Sequence, residues 1–313
     1  MKSGTGAPIE LSEPSLTVAA VARQLGVAPS TLRTWDRRYG LGPSSHQDGT
    51  NRRYSSEDLA RLLIMRRLIV LGVPPAQAAE QANNSAGAGS GEVAALVDTP
   101  PAVKSEGEQA SQAAIVDILV RAARVFDQEL LETILRRELA ARGVVRTWND
   151  LLVPLLTQVG AIWEKSGAGI EVEHLLSEIV KRVLAEPLNN LKAPLNSRPV
   201  LLACVGEENH SLAIRALAAA LAESQIESQF LGARTPQVAL NEVIRRVAPP
   251  AIFLWAQLRE NADLTFIHDI PSIRPAPRII VGGPGWLGTS CERAIYAADL
   301  ASARSEISRA VGL

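Results

Sequence analysis

Aromatic residues make up only 4% of this 313-residue chain, and cysteine occurs twice. The two thiols, Cys204 and Cys291, are far apart and show no CxxC spacing. That pattern argues against a disulfide framework and for buried thiols in a reducing compartment. No run approaches the roughly 18 apolar residues that a membrane span needs, and the opening stretch MKSGTGAPIELSEPS has no apolar signal core. The expectation is a soluble, cytoplasmic protein. An excess of either charge is also missing, with Lys+Arg 32 against Asp+Glu 33, which would count against a nucleic-acid partner if the charge were evenly spread.

The charge is not evenly spread. Between Ser30 and Val70 stand eight arginines (Arg33, Arg37, Arg38, Arg52, Arg53, Arg61, Arg66, Arg67) against Asp36, Asp48, Glu57 and Asp58, a local excess of four positive charges. The length and a 47% hydrophobic content allow two or three domains with their own cores. Residues 82–112 are rich in Ala, Gly, Ser, Pro and Glu without sustained periodicity, which is linker composition. They separate an N-terminal module, 15–81, preceded by a disordered stretch over 1–14, from the rest. Over 113–192 apolar residues recur at three and four positions, as in Leu130, Leu131, Ile134 and Leu135, and turns near Asp127, Gly143 and 166–169 divide the segment into four helices. After APLNSRP the pattern changes. The strands VLLAC (200–204), IESQFL (226–231), AIFLW (251–255) and RIIVGG (278–283) alternate with helices, the first from about Asn209, so 197–313 reads as a doubly wound parallel sheet.

In the N-terminal module, LTVAAVARQLGVAPSTLRTWDRRYG reads as two short helices around a tight turn at Gly26 to Ala28. Val18, Val21, Ala22, Leu25, Val27 and Leu32 form the apolar seam, leaving Arg33, Thr34, Arg37 and Arg38 on the outer side of the second helix. A helix with a polar, basic outer face suits the major groove of DNA. A turn-rich loop and Asn51-Arg52-Arg53-Tyr54 follow, ahead of a helix capped near Ser55 or Ser56. On TLRTWDRRYGL, NRRYS and LIMRRLIVLGVPP, the module resembles the winged helix-turn-helix of the MerR family of transcriptional regulators. The resemblance implies that Thr31, Arg33, Thr34, Arg37, Arg38 and Tyr39 face the groove or its phosphates and that Arg52, Arg53 and Tyr54 form the wing. One head with so modest a charge excess favours a homodimer or tetramer on paired half-sites of promoter DNA.

The helical segment carries Trp163 and, beyond an SGAG turn, Glu173 and His174. By themselves these read first as an interfacial tryptophan and a surface pair. At the end of the first sheet strand stands VGEENHSLA, where His210 is either a metal ligand oriented by Glu208 or part of a polar helix cap. Open parallel sheets bind ligands beyond their carboxyl ends, where Gly206 to His210, Leu231 to Thr235, Trp255 to Leu258 and Gly282 to Gly285 gather. On the bundle with its Trp and Glu-His pair, Glu208-Asn209-His210, LGARTPQVAL (231–240) and Gly282-Gly283-Pro284-Gly285, this half resembles the cobalamin-binding half of the CarH and LitR light-responsive regulators, whose sheet domain is flavodoxin-like.

That resemblance implies an adenosyl- or methylcobalamin whose cobalt is ligated by His210, with Glu208 behind it and Trp163 covering the upper face beside Glu173 and His174. Gly282 and Gly283 admit the nucleotide tail, and Thr235 and Trp255 are further cofactor-binding positions of the same loops. Three positions depart from the family pattern. Ala213 replaces a glycine, Glu164 replaces the histidine of the light-responsive members, and Trp255 replaces a small hydroxyl residue at the tail pocket. A Trp255 ring pointing into that pocket excludes the tail base. The reading is therefore a DNA-binding regulator, not an enzyme, whose C-terminal half senses a ligand and controls oligomerisation. One alternative is a ligand-free half plugged by Trp255 and governed by a protein partner. Another is a cobalamin-dependent enzyme subunit, for which no substrate barrel is present.

Overall fold

The computed structural model describes residues 16–44, 53–85, 108–166 and 169–313, with 108–110 and 162–166 as backbone only. The expected disordered 1–14, the linker residues 86–107, and Asn51, Arg52 and His46 lie outside the described residues. Contacts divide the chain into two compact units, Met1–Val125 and Phe126–Leu313.

In the first unit, β1 (Leu16–Thr17) leads into α1 (Val18–Leu25) and α2 (Pro29–Tyr39). The Thr17 side chain caps α1 by accepting the Ala20 N–H at 3.2 Å. Gly26 and Gly40 end the two helices in the left-handed region, at φ 64° and 68°, where a side chain is strained. β2 (Arg53–Tyr54) pairs antiparallel with β1. It is followed by α3 (Ser56–Val70), α4 (Pro75–Asn84) and α5 (Glu108–Arg124). Val21, Leu25, Leu32, Trp35, Leu62, Met65 and Leu68 meet in one core, so the apolar seam read from the sequence is the packing surface.

The base of the wing is tied by one acid. Asp58, almost fully buried, accepts hydrogen bonds from Ser55 N–H at 2.9 Å and from Ser44 N–H and Oγ at 3.0 and 3.1 Å, and pairs with Arg61. Burial alone raises its pKa, but the Ser55, Ser44 and Arg61 hydrogen bonds outweigh it and hold the carboxyl below its ordinary value.

Two boundaries need correction. The linker loses both ends, because the buried alanine stripe Ala78, Ala79 and Ala82 carries α4 to Asn84, and α5 begins at Glu108. The first of the four helices expected over 113–192 also belongs to the first unit. Arg121 Nε donates to the Val70 carbonyl at 2.9 Å, and Arg66 donates to the Val125 carbonyl at 2.6 Å.

The second unit begins with α6 (Gln128–Thr147), a π turn (Trp148–Leu152), α7 (Val153–Ser166) and α8 (Ile170–Asn189). Gly143 breaks α6 at φ 74°, ψ 169°, and the freed Val144 N–H is taken up by the Glu223 carboxylate at 3.0 Å. The sheet comprises β3 (Val200–Cys204), β4 (Ser228–Phe230), β5 (Ala251–Trp255), β6 (Arg278–Gly282) and β7 (Ile295–Ala297), all parallel in the order β4-β3-β5-β6-β7. The helices are α9 (Leu212–Glu223), α10 (Gln237–Val247), the short α11 (Thr265–His268) and α12 (Leu300–Ala310).

β3 is buried at every residue, which is why it reads as an unbroken apolar run. Leu240 and Ile244 of α10 cover one face of the sheet, with Ala203, Ile252, Leu254 and Val281 beneath. α9 packs on both β3 and α8. A helix covered on two sides has little solvent face to keep polar, which accounts for its alanines, Ala216, Ala218, Ala219, Ala220 and Ala222 all being buried. The multidomain α plus α/β class is observed, with β7 as a strand the sequence pattern did not reveal. Among the described residues, no helix is long and apolar enough to cross a membrane.

Candidate functional site

Each unit carries one candidate surface. On α2, Arg33, Arg37 and Arg38 are exposed, Thr31 and Thr34 half-buried, and Leu32 and Trp35 buried on the opposite side. Residues four apart on a helix share a face, so Arg33 stacks with Arg37 and Thr34 with Arg38 along one stripe. The Thr34 hydroxyl donates back to the Ser30 carbonyl at 3.0 Å, and the Asn83 amide donates to the Tyr39 carbonyl at 3.1 Å, which fastens α4 to the end of α2. The acid of the same helix, Asp36, lies against the loop that follows α2. A Cβ on Gly42 would lie 2.2 Å from Asp36 Oδ1.

The wing assignment divides at β2. Arg53 is exposed, but Tyr54 is 2% exposed and part of the core, so its assignment to the DNA face is corrected. Adjacent strand residues point to opposite faces, and the core claims the tyrosine. Arg66 is buried as well, so the local charge count overstates what the outer surface offers.

In the second unit the loop after β3 is organised by one carboxylate. Glu208 has 0% exposure. Its Oε1 accepts from His210 N–H at 2.8 Å and lies 2.5 Å from His210 Nδ1. Its Oε2 accepts from the Gln257 and Leu258 N–H groups at 2.8 and 3.1 Å and from the Asn261 amide at 3.0 Å. Burial is the largest influence on this acid and raises its pKa. The hydrogen bonds from His210, Leu258 and Asn261 together outweigh it and bring the value down to about 2. An ionised carboxylate only accepts, so Nδ1 of His210 carries the proton it donates. The imidazole is 58% exposed, and in a neutral ring held through its Nδ1–H the nitrogen left to bind elsewhere is Nε2. Such a nitrogen can ligate a metal, and a carboxylate on the other nitrogen fixes the ring's tautomer and orientation. Among the described residues, no group of three or more His, Cys, Asp or Glu could hold a bare metal ion. The single histidine suits a metal that arrives with its other ligands.

The helix expected from Asn209 begins at Leu212. Glu208 accounts for the delay, because it binds both the backbone and the ring of His210 and holds that residue in the loop.

Strand register sets Cys204, Trp255 and Gly282 side by side at the carboxyl ends of β3, β5 and β6. A Cβ on Gly282 would come within 2.5 Å of the Phe253 ring, and one on Gly283 within 2.3 Å of the Ala256 carbonyl oxygen and 3.2 Å of the Trp255 ring. Gly283 also has φ 106°. Their own neighbours already require these two positions to be glycine.

Thr235 is corrected too. It is 4% exposed, and its hydroxyl donates to the Gly232 carbonyl at 3.1 Å, so it staples its loop. His174 is exposed, and its Nδ1 donates to the Ile170 carbonyl at 2.8 Å. Glu173 is half-buried, and no hydrogen bond among the described residues joins either side chain to the His210 loop. The Trp163 side chain lies outside the described residues. Sequence reading missed Asn261, whose amide completes the shell around Glu208 from 53 positions away, and Arg259, which donates to the Gly285 and Leu287 carbonyls at 3.1 Å each.

Comparison with known proteins extends both surfaces. Residues 16–84 match the model of the MerR HTH family regulatory proteins, and residues 115–186 match that of the B12 binding domain. The HTH-type transcriptional repressor CarH of Myxococcus xanthus is 28% identical over 288 residues, covering 90% of this chain and 91% of the repressor. The HTH-type transcriptional repressor CarA of the same organism is 27% identical over 277 residues, covering 87% of each. A solved structure of a novel cobalamin-binding protein from Desulfitobacterium hafniense DCB-2 aligns with 66% of this chain and 93% of its own at 18% identity, with a TM-score of 0.31.

Proposed function

We propose that this chain, which joins a MerR-type helix-turn-helix to a B12-binding-type helical segment, is a DNA-binding transcriptional repressor that senses a corrinoid of the cobalamin class. It acts in the cytoplasm as a homodimer or tetramer. The observation that carries the ligand reading is the Glu208-His210 pair, a buried ionised carboxylate that fixes one imidazole nitrogen and leaves the other at the loop surface. The DNA reading rests on the arginine stripe of α2. The relatives align with 87 to 90% of this chain and are named as HTH-type transcriptional repressors.

When bound, a corrinoid would supply a cobalt able to take a nitrogen ligand from the protein; His210 would hold it through Nε2, with Glu208 orienting the ring through Nδ1. Arg33, Arg37 and Arg38 with Arg53 of the wing meet DNA phosphates, and Thr31 and Thr34 lie where α2 faces the groove. Coupling between the two surfaces is linkage. A ligand that binds one packing of the C-terminal halves better than another biases which arrangement of paired heads reaches the operator. On the wall formed by Gly282 and Gly283 the fit fails, because Phe253 and Trp255 already fill it.

The test uses the purified full-length chain, mixed with adenosylcobalamin or with adenosylcobinamide, desalted, and scanned for visible absorbance. A promoter fragment is then titrated with and without the corrinoid. A coloured protein whose spectrum changes in His210→Ala, and whose operator affinity shifts with ligand, is the expected result. A protein left colourless by both corrinoids would sink the ligand reading and select a ligand-free scaffold, the reading favoured by the Trp255 ring.

A further inference from the structure

We infer that the site takes a corrinoid without its nucleotide base in preference to complete cobalamin, because Trp255 occupies the place the base needs. The inference rests on the reading that the His210 loop holds a corrinoid, and names which kind.

Side chains alternate along a strand, so Phe253 and Trp255 share the face that also carries Cys204 and Gly282. That is the face opposite the one covered by α10, whose partners include Ile252 and Leu254. Phe253 is buried there and Trp255 half-buried. The space opened by the missing side chain of Gly282 is taken by the Phe253 ring, and that of Gly283 by the Ala256 carbonyl and the Trp255 ring.

Interiors pack at the density of organic crystals, so a slot filled once has no room for a second occupant. An indole is a fused bicyclic aromatic of nearly the size of a benzimidazole. Trp255 is in effect a built-in base. Its Nε1 is buried without a hydrogen-bond partner among the described residues, so the ring is held there by packing. The ligating side is untouched by this obstruction, since His210 is exposed and held by Glu208 from the protein side. A corrin ring can reach Nε2 while the tail wall stays closed.

The experiment compares two ligands that differ only in the nucleotide, adenosylcobinamide and adenosylcobalamin, by spectral titration of the native full-length chain and of Trp255→Ser. The native chain should bind the cobinamide at least tenfold more tightly. Trp255→Ser should gain tenfold or more for adenosylcobalamin and stay within threefold for adenosylcobinamide. A native preference below tenfold, or a folded Trp255→Ser with no gain for cobalamin, overturns the inference. The native comparison decides even where the variant does not fold. If adenosylcobalamin binds the native chain best through a spectrum that depends on His210, only this inference falls. If neither ligand binds, the corrinoid reading falls with it.

Discussion

Protonating Glu208 means adding a proton to a carboxylate whose two oxygens already accept five hydrogen bonds. The folded value of about 2 lies below the ordinary 4.5. The stability this group contributes is therefore fully present above about pH 4.5 and is lost as the pH falls toward 2. That difference corresponds to on the order of 3 kcal/mol. Glu208→Gln keeps the volume but removes the charge. It should lower the unfolding free energy by about 2 to 3 kcal/mol at pH 7, and the gap to the native chain should narrow below about pH 4.5 and close as the pH approaches 2. Urea unfolding of both full-length proteins at pH 7, 5 and 3 checks this. A gap independent of pH would mean that the loop is held by packing and not by the charge.

Among elements, α2 carries the clearest expectation. Arg37 is exposed in its last turn, where a cation complements the helix dipole, so Arg37→Ala should cost under about 1 kcal/mol of stability. Its loss should weaken DNA binding evenly across sequences and reduce the slope of log affinity against log salt by about 1 per head. A fluorescence-anisotropy salt titration reads the slope, and an unchanged slope removes Arg37 from the phosphate contacts. The helix-turn-helix was legible because its signals are local, namely a Thr cap, Pro29, two left-handed glycines and an amphipathic stripe. β3 and β5 were legible for the same reason, each being a short apolar run, whereas the expected 226–231 strand shortens to β4 and β7 has no such run. Tyr54 was misread because a two-residue strand gives no alternation from which to tell inside from outside. Asn261 and the N–H groups of Gln257 and Leu258 left no trace in spacing. They meet Glu208 only because β3 and β5 are neighbours in the sheet. Gly282 and Gly283 are ambiguous from sequence, since a glycine pair at a strand end looks the same whether a ligand or the chain's own Phe253 and Trp255 fill the space.

For the whole molecule, a regulator built from a DNA-reading unit and a ligand-reading unit works only if the two bindings are thermodynamically coupled, and such coupling is reciprocal. If the corrinoid changes operator affinity by some factor, the operator must change corrinoid affinity by the same factor. A coupling of 1 to 3 kcal/mol, about 5- to 150-fold, is the usual range for such links. The expected outcome is that corrinoid titrations of the full-length chain, run with and without saturating operator DNA, give dissociation constants in the same ratio as operator titrations run with and without saturating corrinoid. His210→Ala should bring both ratios to one, while Arg37→Ala should weaken the DNA titrations and leave both ratios intact, because Arg37 belongs to the unit that reads DNA and His210 to the unit that reads the ligand. Unequal ratios would show that the corrinoid acts outside binding equilibrium, and equal ratios of one in the native chain would mean that the two units share a polypeptide without sharing a switch.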